Sequence, residues 1–106
     1  MVKVNERQQA TNSTNLAYWA QRAINIAGTE VRVRVREHKL HVLCEGRECP
    51  DRQTAFAQLL AALSRTNIND LLAAEYWPPV DQVFLYGRQY SQKRPEWTET
   101  LFSVSY

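Results

Sequence analysis

The segment Val31-Arg32-Val33-Arg34-Val35-Arg36 sets a β-branched apolar residue at every odd position and an arginine at every even one. Successive side chains leave a pleated backbone on opposite sides, so a period of two is the signature of a strand with one face buried and one wetted. The segment is therefore read as a strand with its valines inward. A second strand follows at once, because Leu40, Val42 and Cys44 alternate with His41, Leu43 and Glu45. A tight turn over Glu37 and His38 pairs Val35 with Leu40 and Val33 with Val42. A slip of one residue would set valines opposite His41 and Lys39, so burial fixes the register.

Helices flank this hairpin. Leu16, Ala20, Ala23, Ile24 and Ala27 recur on one helical face, with Thr14 or Asn15 as the cap and Gly28 as the stop, which predicts a helix over about Leu16 to Ala27. Pro50 closes the strand region, and Asp51 can cap a helix whose apolar positions are Phe56, Leu59, Leu60 and Leu63. That helix runs over about Arg52 to Arg65. Asn67 or Asn69 then starts a short turn through Ile68, Leu71 and Leu72, broken by Trp77-Pro78-Pro79. Val80 to Arg88 reads as a third strand, with Val83 and Leu85 on one face and Phe84, Tyr86 and Arg88 on the other.

Residues 1–13 are mostly polar and without periodicity and are read as a flexible lead-in, with a short strand at Val2–Val4 as an option. Residues 90–106 form a tail with two open readings: a helical turn opened by Pro95 and carrying Trp97, or a strand over Leu101-Phe102-Ser103-Val104. The expected fold is a single α+β domain, a two-layer sandwich of order αββαβ with the helices on one face of a small sheet. With the extra strand at Val2–Val4 the order becomes βαββαβ, the ferredoxin-like arrangement.

A chain of 106 residues supports one core rather than two. Its net charge of +2 is too small for wholesale binding to nucleic acid or an anionic membrane. Ten of its thirteen basic residues are arginines, so their placement carries more information than their number. No apolar run approaches the ~20 residues of a membrane span, and the N-terminus lacks the form of an export signal. Cys44 and Cys49 are accordingly expected as free thiols in a cytoplasmic protein.

The residues that could carry function gather on the outward side of the strands: Arg32, Arg34, Arg36, His41, Phe84, Tyr86 and Arg88. Exposed sheet aromatics with flanking arginines suit a protein interface, and they also suit single-stranded nucleic acid, whose bases stack on rings while guanidinium groups hold phosphates. Alternating Val and Arg equally describes a solvated strand whose charges discourage edge aggregation, and the tail with Trp97, Leu101 and Phe102 could cover the rings. Trp77, held rigid by Pro78-Pro79, is a further candidate anchor for a partner, against the plainer reading that it caps the core.

Catalytic and metal signatures are weak. His38, His41, Cys44 and Cys49 have a zinc-like spacing, but His41 and Cys44 lie three positions apart on a strand and point to opposite faces. A Cys44–Cys49 disulfide needs an oxidising setting. Gly28, Gly46 and Gly87 are too scattered for a phosphate cradle, and Ser64, Ser91 and Ser103 lack an elbow or an evident base. Glu45 and Glu48 are read as solvated charge rather than an acid/base pair. The expectation is therefore no enzyme, no cofactor, no metal and no small-molecule substrate.

The stretches Pro50-Asp51-Arg52-Gln53, Val83-Phe84-Leu85-Tyr86-Gly87-Arg88-Gln89 and Pro95-Glu96-Trp97 resemble a small cyanobacterial domain that recurs in otherwise unrelated proteins, sometimes joined to signalling or enzymatic modules. The resemblance spans about Leu16 to Trp97 and implies a cytoplasmic accessory or interaction domain; it brings no catalytic residues. Trp77-Pro78-Pro79 makes a longer connection than is usual for that domain. The leading expectation is a non-enzymatic interaction or regulatory domain that docks a protein partner or another copy of itself through the Arg/aromatic face. RNA or single-stranded DNA binding through the same face is the alternative.

Overall fold

The computed structural model describes residues 15–72 and 79–102. Helix α1 covers residues 15–23, and strands β1 (Thr29–Arg36) and β2 (Lys39–Gly46) form the hairpin. Helix α2 (Arg52–Arg65) and a short 3-10 turn (Ile68–Leu71) follow, then β3 (Gln82–Gln89) and β4 (Trp97–Phe102). The sheet has four strands in the order β1-β2-β3-β4, with β2 and β3 parallel and both outer pairs antiparallel. The fold is an α+β two-layer sandwich of order αββαββ.

Burial explains the layers. Leu16 and Ala20 of α1, Ile24 just beyond it, and Ala55, Leu59 and Leu63 of α2 share one buried cluster with Leu40, Val42, Cys44, Val83 and Leu85. Both helices therefore cover the same sheet face, the one lined by the apolar residues of the strand alternation. The hairpin has the expected register, with Val33 opposite Val42 and Val35 opposite Leu40. Glu37, in its two-residue turn, holds a positive φ of 54°. Helix α2 begins where its cap dictates: Asp51 accepts hydrogen bonds from the Thr54 N–H at 2.9 Å and the Thr54 hydroxyl at 2.8 Å.

Three features differ from the sequence reading. Helix α1 ends at residue 23, not 27, and the chain turns through Gly28 at φ 74°. There, Gln58 of α2 clamps Asn25, accepting its N–H at 2.8 Å, so a side chain from the other helix takes over from the helical ladder. The tail contributes a fourth strand, and its aromatic residue Trp97 turns to the helix side, where the indole packs on the core and donates to the Pro50 carbonyl at 3.0 Å. The parallel pairing of β2 with β3 runs uninterrupted from Lys39↔Gln82 to Gly46↔Gln89, whereas a ferredoxin-like sheet would insert a strand between them. Val2 and Val4, proposed for that strand, lie outside the described residues.

Candidate functional site

The strand register assembles the outward face in rows. Arg34, His41, Phe84 and Thr100 lie side by side across the sheet, as do Arg32, Leu43, Tyr86 and Thr98. Arg36 neighbours Lys39, and Glu45 lies between Glu30 and Arg88. All seven strand residues expected at the site, Arg32, Arg34, Arg36, His41, Phe84, Tyr86 and Arg88, thus lie on the sheet side opposite the helices. Trp77 lies outside the described residues. A groove of about 510 Å³ runs over this face, lined by Arg34, Arg36, His41, Leu43 and Tyr86 among others.

The centre of the face is a packed ring cluster. The His41 ring lies nearly parallel to those of Phe84 and Tyr86, at centroid distances of 5.3 and 5.9 Å. Its Nδ1 is 2.8 Å from the Tyr86 hydroxyl, a hydrogen bond whose direction depends on the imidazole tautomer. Burial lowers the His41 pKa, and Lys39, Arg34 and Arg36 lower it further, so the ring is neutral at pH 7. Burial raises the Tyr86 pKa, which keeps the phenol protonated. The cluster is an apolar, uncharged patch inside a cationic border.

That border divides into two unlike halves. Glu45, at 2% relative exposure, is a buried carboxylate, which corrects the reading of it as solvated charge. Arg88 grips its Oε2 with Nε and a terminal nitrogen, each at 2.7 Å, and Arg32 Nε stands 3.2 Å from its Oε1. The Arg32 approach satisfies the charge but not hydrogen-bond geometry, since Oε1 has no hydrogen-bond partner. Arg88 also donates to the Lys93 carbonyl at 3.3 Å, so its guanidinium is spent within the chain. Arg34 and Arg36, both exposed, form no ion pair among the described residues.

The segment Tyr86-Gly87-Arg88 with Trp97 acquires a structural meaning. Tyr86 bonds His41, Arg88 bonds Glu45, and Gly87 lies under the Trp97 indole, where a Cβ would come within 2.5 Å of three ring atoms. Leu43 and Glu45 are the site residues that sequence reasoning left aside. The available signal was their position in the β2 alternation, which sets both on the side of His41.

Other polar groups do not converge. Cys44 is fully buried on the helix side while His41 lies on the outward face, so the zinc-like spacing does not close. Among the described residues no three His, Cys, Asp or Glu side chains gather as metal ligands, and both cysteines are free thiols. His38 faces Asp81 instead, Nδ1 to Oδ1 at 2.7 Å. A second groove, about 580 Å³, lies between the two helices; beside it Arg22 lies over the Tyr18 ring, 5.6 Å from its centroid. No helix among the described residues is long and apolar enough to cross a membrane. No family model, curated protein or solved structure matches this chain.

Proposed function

We propose that this chain is a non-enzymatic interaction or regulatory module that docks a protein partner, or a second copy of itself, through the outward sheet face. The observation that carries this reading is the ring cluster of His41, Phe84 and Tyr86 beside Leu43, bordered by Arg34 and Arg36, two cations with no ion-pair partner among the described residues. An apolar centre with a charged border is the make-up of a protein interface, and aromatic residues and arginine are enriched there. A neutral His41 loses its water at less cost than a charged one. The resemblance to an accessory domain points the same way.

RNA or single-stranded DNA binding is the alternative, supported by free guanidinium groups next to rings. Two features weigh against it. The rings pack on one another, which uses π-surface that bases would need, and Arg32 and Arg88 direct their charge to Glu45 rather than to phosphates.

The test compares the wild-type protein with Arg34→Glu and Phe84→Ser, each checked for folding by circular dichroism. Molar mass is followed by light scattering against concentration, and cross-linked partners are captured from the native cell. The reading requires a dimer, or one captured protein, present with wild type and lost with both folded variants. Equal behaviour of all three proteins overturns it. A mobility shift with a mixed-sequence single strand that collapses steeply as salt rises would establish the alternative, because released counterions dominate such binding.

A further inference from the structure

Among the described residues strand β1 is an edge of the sheet, and only the first half of its outer margin is closed. The Val31 N–H donates to Gln21 Oε1 at 3.1 Å, and Gln21 Nε2 donates to the Thr29 carbonyl at 3.4 Å. Helix α1 thus caps the outward backbone groups at residues 29 and 31. These bonds also establish the phase of the strand: odd-numbered residues direct N–H and C=O away from β2, and even-numbered ones bond to it. Val33 and Val35 are the next outward residues. Among the described residues their two N–H and two C=O groups have no partner.

The side chains along this open stretch are ordered by face. Val33 and Val35 are half-buried on the helix side, and Arg32, Arg34 and Arg36 are exposed on the other. An incoming strand would bring alternate side chains beside valines and beside guanidinium groups. We propose that this edge takes an extended segment of a partner protein in which apolar and acidic residues alternate, adding a fifth strand beside Val33–Val35. The inference rests on the interaction-module reading and gives its partner a chemistry.

Charge selects among the occupants. A second copy pairing through the same edge would run antiparallel about a two-fold axis, with outward residues bonded to outward residues. Every such register that joins Val33 or Val35 to itself or to the other puts an arginine opposite an arginine, and like charges directly opposite are unfavourable. The chain's own Val2-Lys3-Val4, with its valines toward the helices, would add Lys3 to the same cationic row. Acidic side chains at those positions instead meet Arg34 and Arg36, the two arginines of this row with no ion pair among the described residues.

The probe is a fluorescein-labelled hexapeptide of alternating Glu and Val, with its Lys/Val counterpart as control, titrated into the full chain by anisotropy while amide hydrogen exchange is followed. Saturable binding of the Glu peptide alone, with slowed exchange at the Val33 and Val35 amides, is expected. Val35→Pro removes one outward N–H without touching the ring cluster, and it should weaken binding about tenfold. Arg34→Glu should weaken it at least as much, and this variant carries the test if Val35→Pro does not fold. Phe84→Ala should leave it unchanged. No binding, equal binding of the Lys peptide, or amides already protected before peptide is added would each overturn the inference. Binding kept by Val35→Pro and lost by Phe84→Ala would overturn the edge site while supporting the face, so the two readings fail separately.

Discussion

Gly87 is the position where a single added methyl group should do the most damage for its size. It lies on the buried side of β3, between Cys44 and Trp97, and an alanine Cβ there would come within 2.5 Å of three atoms of the indole. Ordinary carbon contacts lie at about 3.5–4.0 Å, so the ring must retreat by roughly an ångström or more. It is not free to do so, because Nε1 is bonded to the buried Pro50 carbonyl at 3.0 Å and the ring packs on the core. Overpacking costs about 1–3 kcal/mol and the lost hydrogen bond about 1 kcal/mol. Alanine recovers about 0.5–1 kcal/mol of backbone entropy relative to glycine. The balance predicts that Gly87→Ala destabilises the fold by about 1–3.5 kcal/mol, read as the shift in a urea unfolding curve at unchanged slope. In a double-mutant cycle, Gly87→Ala should cost far less on a Trp97→Leu background, giving a coupling above about 1 kcal/mol. Additive effects, or a Gly87→Ala cost under about 0.5 kcal/mol, would refute the claim that this glycine exists to seat the tryptophan.

Three further outcomes are expected. Glu45→Ala leaves the Arg88 guanidinium, 25% exposed, without its carboxylate, and should cost about 2 kcal/mol in chemical denaturation; partial access of Arg88 to water keeps this below the cost of breaking a fully buried pair. The same substitution made on an Arg88→Met background should cost clearly less, and equal costs would contradict the pairing. Because the folded-state pKa of His41 is lowered, the unfolded chain takes up its proton first; stability is fully present above the unfolded value near 6.5 and is lost as pH falls through the folded pKa. His41→Gln should flatten that part of a stability-versus-pH profile, and an unaltered slope would contradict the assignment. Burial pushes the Cys44 thiol up to about 12, so a thiol reagent at pH 8 should modify only Cys49 in the folded protein and both cysteines in denaturant; prompt modification of Cys44 would contradict its burial.

What could be read in advance was whatever local periodicity encodes. The β1–β2 register followed from apolar residues every second position, and α2 from the Asp51 cap and the Leu59–Leu63 face, because each depends on neighbours a few residues away. The gathering of Arg32, Arg34, Arg36, His41, Phe84, Tyr86 and Arg88 on one side needed only the alternation of three strands. The parallel joining of β2 to β3 was not legible, since it is decided by how α2 packs between them in the chain. Glu45 was misjudged for the same reason: its burial needs Arg88, 43 residues later, which arrives only through that pairing. The tail left two readings open because a single Pro95 and a short apolar run fit either; the bare floor at Gly87 is what selects a strand that can lay Trp97 over it.

These long-range contacts change how the arginines should be weighed. In sequence they are equivalent members of one row, yet the geometry separates those that reach a buried carboxylate from those in no ion pair among the described residues. Arg88 and Arg32 neutralise Glu45, which lies at the end of β2 and would otherwise be a lone buried charge; their loss should be felt as stability. Arg34 and Arg36 flank the open part of the β1 edge and touch no carboxylate among the described residues, so surface substitutions there should leave the fold within about 0.5 kcal/mol of wild type. On the proposed reading, these charges, placed beside strand backbone with no partner among the described residues and beside the ring cluster, are what a partner would engage without dismantling the domain that presents them.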